Sequence, residues 1–248
     1  MLIKHLSASL FVLCLFASCK KSGGSNSSGS SNKLKTYIED ARNGSSHITD
    51  SFAVAYDNNN RIISVASPNL KFVYTYSDKS FTLDLYENSQ LSIHEIAYLN
   101  SVPYVDSTFQ FDNTSDSTTE GYVYTGNELT RKITYSYSSF GTTIDTRDDY
   151  TYDNNGNVIK DVQTDGQGNI ITTATYTYTT KPLDVTISPI YFAPGSKYLP
   201  ATQQQTDGTG NPIATITYSY TFDSSGRLTK ETDTVDDGEV DTKTYIYD

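Results

Sequence analysis

The chain of 248 residues sets 18 Lys and Arg against 29 Asp and Glu, for a formal charge of −11, and its basic residues stand singly. That balance excludes a nucleic-acid reader and electrostatic docking on anionic lipid, both of which need a basic face. The hydrophobic fraction is only 36%, with 21 Tyr, 10 Phe and no Trp, so much of the buried surface must come from phenol rings that bury their bodies and keep a wet hydroxyl.

At the amino terminus, Lys4 and His5 precede an apolar run from Leu6 to Phe16, followed by Ala17, Ser18 and Cys19. Residues 1–18 read as a signal peptide, because the run is too short to span a bilayer as a permanent helix. The two cysteines, Cys14 and Cys19, both fall here, so the folded part holds no disulfide and no thiolate metal site. Phe16-Ala17-Ser18-Cys19 resembles the lipobox of bacterial lipoproteins, with Phe16 where Leu is usual. The resemblance implies cleavage before Cys19 and lipidation of its sulfur, which would place the protein on the outer membrane. An ordinary secretory signal with an incidental Cys is the alternative. After Lys20 and Lys21, residues 22–32 are only Ser, Gly and Asn, so 19–32 make a lipidated Cys and a flexible tether. Surface-export signals in related lipoproteins are acidic just after the Cys, and the two lysines favour the periplasmic face.

Residues 33–248 read as one all-β domain, an antiparallel meander of hairpins forming a large curled or barrel-like sheet, with one short helix at 33–44. Leu34, Tyr37, Ile38 and Ala41 have helical spacing, Ser31 or Asn32 can cap the start and Gly44 can end it. From Ser51 onward the period is two. Phe52, Val54 and Tyr56 alternate before the turn Asp57-Asn58-Asn59-Asn60, and Phe72, Tyr74 and Tyr76 repeat the pattern, as do Phe81, Leu83 and Leu85. Tyr122 and Tyr124, then Ile133, Tyr135 and Tyr137, continue it. Tyr150-Thr151-Tyr152 before Asp153-Asn154-Asn155-Gly156, and Tyr218 to Phe222 before Asp223-Ser224-Ser225-Gly226, put rings on one face and hydroxyls on the other. Asp bonds its own backbone two residues on and Gly accepts positive φ, so these are hairpin turns. A dozen or more strands follow. Residues 181–200 break the rhythm, since Pro182, Pro189, Pro194 and Pro200 cannot donate to a ladder, which predicts an edge, a crossing or a loop.

The pattern Tyr-x-Tyr/Phe-Asp-x-x-Gly-Arg/Asn-Leu/Val resembles the YD repeat of rearrangement-hot-spot and teneurin proteins. It is closest at Tyr220 to Thr229, good at Tyr152 to Ile159, and weaker at Tyr56 to Ile63, where Asn60 replaces Gly. The shell those families build needs far more repeats, so the chain looks more like small YD-repeat lipoproteins of unknown function with a porin-like β fold. This implies an architecture and no activity.

For chemistry, Asp153, Asn155 and Asn157 place oxygens at alternate positions as a calcium loop does, but position 12 falls on Thr164 instead of Glu, and plain turns explain the same residues. Asp148-Asp149 and Asp236-Asp237 with Glu239 are the acidic neighbours from which a glycoside hydrolase could draw paired carboxylates. After cleavage only His47 and His94 remain as histidines, and no nucleophile elbow, zinc helix or phosphate loop occurs. No catalytic, cofactor-binding or metal residue is therefore assigned, and no cofactor is expected. Tyrosine rows suit stacking on sugar rings, although cross-strand ladders account for them without a ligand. Thr and Ser opposite Tyr do not make the Leu, Val and Phe band that a membrane barrel needs. Asp106-Ser107-Thr108, Asp116-Ser117-Thr118 and Asp233-Thr234-Val235 look like acceptor triplets of bacterial O-glycosylation. The sequence thus reads as a non-catalytic envelope lipoprotein, anchored to membrane through Cys19 and binding a glycan or envelope protein. The rival readings are a polysaccharide hydrolase and a calcium-dependent adhesion module.

Overall fold

The computed structural model describes residues 33–101, 104–112, 117–138, 141–183 and 196–248; Cys19, the tether, Pro189 and Pro194 lie outside them. Sixteen strands run in chain order: β1 (Leu34–Asn43), β2 (Ser46–Tyr56), β3 (Ile62–Ala66), β4 (Leu70–Tyr76), β5 (Ser80–Glu87), β6 (Gln90–Leu99), β7 (Val105–Asp112) and β8 (Ser117–Thr125). Then come β9 (Glu128–Ser138), β10 (Gly141–Tyr152), β11 (Val158–Asp165), β12 (Ile170–Pro182), β13 (Tyr198–Asp207), β14 (Pro212–Phe222), β15 (Leu228–Val235) and β16 (Val240–Tyr247). Each pairs antiparallel with its sequence neighbours, and β1 pairs with β16, so the meander closes into a barrel with no free edge.

The all-β meander is as the alternation predicts, but the helix at 33–44 is not there. Leu34 to Asn43 is a strand, paired on one side with β2, as in Tyr37↔Phe52, and on the other with β16, as in Tyr37↔Tyr245. Tyr37, Glu39 and Ala41 also fit period two, and two ladders satisfy every backbone group along the segment, which a single amphipathic turn does not. Gly44, with φ +57°, turns the β1–β2 hairpin instead of capping a helix.

Five turns are built alike. At Asp57, Asp153, Asp165, Asp207 and Asp223, Oδ1 accepts the N–H of residues two and four ahead at 2.8–2.9 Å. Oδ2 accepts from the side chain four ahead: Arg61, Asn157, Asn169, Asn211 or Arg227. The fourth turn residue needs positive φ, and Asn60 at +63° adopts it as Gly156 does at +81°.

The turns at Asp57, Asp153 and Asp223 share one end of the barrel with both chain ends, and there the strand register shifts at Tyr56↔Ile62, Tyr152↔Val158 and Phe222↔Leu228. The shift turns the residue after each turn inward. Near the start of the eight strands leaving this end lie Leu34, Ile62, Phe81, Val105, Leu129, Val158, Leu199 and Leu228, each at most 9% exposed. Side chains at an open rim would be wetted, so this end is a packed floor. Pro182 and Pro200 belong to ladder strands here, opposite Tyr198 and Tyr178, at register shifts where a missing N–H is tolerated.

Candidate functional site

Inward residues stack in layers above the floor. On the strands descending to it, the last inward tyrosines Tyr56, Tyr76, Tyr124, Tyr152, Tyr178, Tyr220 and Tyr247 each donate their hydroxyl to the carbonyl of Leu34, Ile62, Val105, Leu129, Val158, Pro200 or Leu228 at 2.5–3.0 Å. The acceptor sits near the start of the directly preceding strand, so each ring ties the floor end of its own strand to that of the strand paired with it. Arg61 lies over Tyr76 at 4.4 Å and Arg227 over Tyr247 at 4.7 Å. These tyrosine rows are therefore internal braces, and Tyr37, Tyr74, Tyr122 and Tyr245 are buried, whereas Tyr135 and Tyr137 lie on the outward face of β9.

One layer nearer the mouth, the wall becomes ionic. Glu120 precedes Tyr122 by two residues, Asp148 precedes Tyr150, and Lys243 precedes Tyr245, so strand alternation puts each charge on the same inward face as the ring. Lys243, 2% exposed, donates to Glu231 Oε1 at 3.0 Å and Asp233 Oδ2 at 2.6 Å, with Asp241 at 4.0 Å. Burial raises Glu39 and Asp233 above the ordinary carboxyl range, and Asp241 adds repulsion on Glu39. Lys243 is held charged by Glu231 and Asp233 against its own desolvation. A second lysine, Lys132, bridges Glu120 at 3.3 Å and Asp148 at 3.5 Å, and Gln163 donates to Asp148 at 3.0 Å. On either side of it, burial pushes Glu95 and Asp161 up to about 7, with repulsion from Glu120 and Asp148 respectively. By contrast, the β2–β5 wall is apolar, with Phe52, Val65, Phe72, Phe81 and Leu85 facing inward.

The outer wall is of a different kind. Register places Thr177, Thr202, Thr217 and Thr234 in one outward row, with Thr177 and Thr202 hydroxyls 2.7 Å apart. Arg131 and Arg147 reach Asp149 at 2.6 and 2.9 Å, His47 meets Asp40 at 2.7 Å and His94 meets Asp84 at 2.5 Å, all on this outer face. A ring cluster of Phe109, Phe111 and Tyr137 breaks the polar surface on β7 and β9.

The acidic neighbours named from sequence do not converge. Asp148 points in and Asp149 out, as alternation demands; Asp236, Asp237 and Glu239 lie in the β15–β16 turn and accept from Thr215 N, Glu239 N and Asn43 Nδ2. Asp153, whose turn was put forward for calcium, and its counterparts Asp57, Asp165, Asp207 and Asp223 spend their oxygens on N–H donors, which hold all five below the usual carboxylate range. Among the described residues, no group of three or more His, Cys, Asp or Glu could hold a metal ion. Of the glycosylation triplets, Ser107 and Thr234 face outward. Near the floor, Asp153, Asn155, Tyr176, Tyr178 and Tyr198 line a shallow cleft of about 400 Å³, beside which Asn157 accepts from Lys197 N and Tyr198 N. Sequence reading missed Glu95, Lys132, Asp161, Glu231 and Lys243. Their signal was present as charges in phase with the tyrosines on Tyr-x-Tyr strands.

No protein-family model matches the chain, and no curated protein matches it. In fold it is similar to a porin-like protein from Bacteroides uniformis, at 15% identity and a TM-score of 0.63, over 87% of this chain and 98% of that one. It is also similar to a porin-like protein from Bacteroides vulgatus, at 9% identity and a TM-score of 0.61, over 87% and 99%. A structure described as a domain of an outer membrane lipoprotein-sorting protein from Vibrio parahaemolyticus aligns at a TM-score of only 0.31. At these identities the likeness is one of fold, and the chain is a closed sixteen-stranded barrel of porin-like architecture.

Proposed function

We propose that this protein is a non-catalytic envelope lipoprotein of the YD-repeat-like kind, held to the outer membrane by acylated Cys19, with its barrel standing outside the bilayer as a one-ended binding cup. The observation that carries this reading is the outer wall. A membrane barrel shows lipid an apolar band about 25 Å tall, whereas on this wall exposed apolar side chains such as Phe111, Val123, Ile144 and Ile246 are interspersed with threonine rows and the Arg131–Asp149–Arg147 cluster. A packed floor argues against a through-channel, and a charged lumen argues for a ligand taken from the mouth. The two lysines after Cys19 favour the periplasmic face, and the partner is a soluble envelope component, a glycan or a protein segment. In cells, wild type should fractionate with membranes and leave them in mild detergent, while Cys19→Ala should appear in the soluble fraction. Retention of Cys19→Ala in membranes after carbonate washing, or ion conductance in planar bilayers, would overturn the reading.

A further inference from the structure

The lumen wall from β6 to β11 holds Glu95, Glu120, Asp148 and Asp161 around a single cation, Lys132. Glu120 and Asp148 are served by that lysine, and Tyr122 also donates to Glu120. Neither outer carboxylate is in ion-pair contact with Lys132, although the lysine lowers the pKa of Asp161 from a distance. Glu95 is 7% exposed and has no hydrogen-bond or ion-pair partner among the described residues; its ladder neighbours are Leu83 and Gln110, and the nearest charge is Glu120. Asp161 Oδ1 is buried and likewise unpartnered. A carboxylate kept out of water without a donor is costly. Two of them flanking a satisfied pair leave anionic positions that a donor from outside would complete.

We propose that the lumen binds an extended organic polycation, a linear polyamine, with one ammonium at Glu95 and another at Asp161. This rests on the reading of the barrel as a cup. Spacing selects the class. Glu95 and Asp161 stand five strands apart, which at ~4.8 Å per strand is roughly 24 Å along the wall before curvature shortens it. That is too far for one metal ion and within the span of a chain with several ammonium groups. Tyr150, half-buried and directly opposite Asp161 on the inward face, offers a ring face to the methylenes and ammonium groups beside it. Glu120 is the charge that bears on Glu95, and Asp148, Lys132 and Asp149 bear on Asp161. Because burial keeps both carboxyls partly protonated at neutral pH, each ammonium that docks expels a proton to the buffer.

The test is calorimetric titration of full-length protein in mild detergent with spermine at low salt. We expect saturable binding whose heat varies with the ionisation enthalpy of the buffer. In the Glu95→Gln/Asp161→Asn variant, which removes two unpaired charges and so should fold and melt higher than wild type, the Kd should rise by roughly tenfold or more. Equal binding by both proteins would mean counter-ion condensation on the acidic exterior and would sink the proposal, as would no binding by wild type. Membrane retention through Cys19 is unaffected by either substitution, so failure of this inference and failure of the anchored-cup reading are told apart by fractionation.

Discussion

A single hydroxyl group decides how the barrel wall is braced. Tyr152 donates to the Leu129 carbonyl at 2.9 Å, and Phe there would keep the ring and leave that carbonyl without its donor. Tyr152→Phe should cost about 1–2 kcal/mol in urea denaturation. Lys243 is the opposite case, a cation whose removal leaves Glu231, Asp233 and Asp241 facing one another with nothing between. Lys243→Met should destabilise by roughly 3–5 kcal/mol at pH 7.5. The loss should shrink as pH is lowered toward 5, because Glu39 and Asp233 already take protons more readily than ordinary carboxyls. Denaturation midpoints of the variant at the two pH values check this. The turn aspartates were legible from sequence as turn-formers, since the Asp-x-x-Gly spacing encodes a local hydrogen-bond pattern. The buried lysines were not, because which carboxylates surround them depends on ladder register.

Elements follow their local code where one code is strong and fail where two compete. Tyr150-Thr151-Tyr152 and Tyr218 to Phe222 admit only a strand, and β10 and β14 are strands. Leu34 to Asn43 carries apolar residues that suit both periods, and the choice fell to β16, about 200 residues away, whose open edge needed a partner. Mouth hairpins show a second non-local constraint. Gly208 has no need of positive φ, yet a Cβ there would stand 2.0 Å from the Ile170 carbonyl oxygen of the next strand. Gly208→Ala should therefore lower stability by roughly 1–3 kcal/mol, through a forced backbone shift. Gly210→Ala, where φ is +88° and nothing lies within 4 Å, should cost only the left-handed strain of about 1 kcal/mol. Thermal melts of the two variants separate the causes.

For the whole molecule, two sets of carboxyls pull stability in opposite directions with pH. Glu95 and Asp161 titrate near 7 when folded and near 4 when unfolded. Between those values the folded state holds more protons, so their contribution is complete below about 4, is lost as pH rises through 7, and is level above that. The five turn aspartates are lowered on folding, so their contribution is present above about 4 and lost as pH falls below it. The protein should be most stable at roughly pH 4.5–5, and calorimetric Tm at pH 5 should exceed that at pH 8. A higher Tm at pH 8 would mean that the inward carboxyls are wetter than their burial implies.

Strand identity at the Tyr-x-Tyr runs, the Asp-x-x-Gly turns and the division of strands such as β10 and β14 into a ring face and a hydroxyl face were settled by the sequence alone, because all three come from backbone geometry within a few residues. Closure of β1 on β16, the floor of Leu and Val side chains, and the gathering of carboxylates around Lys132 and Lys243 were decided only in the folded barrel. Those contacts join residues far apart in the chain, and their pairing depends on sixteen strands finding one register together.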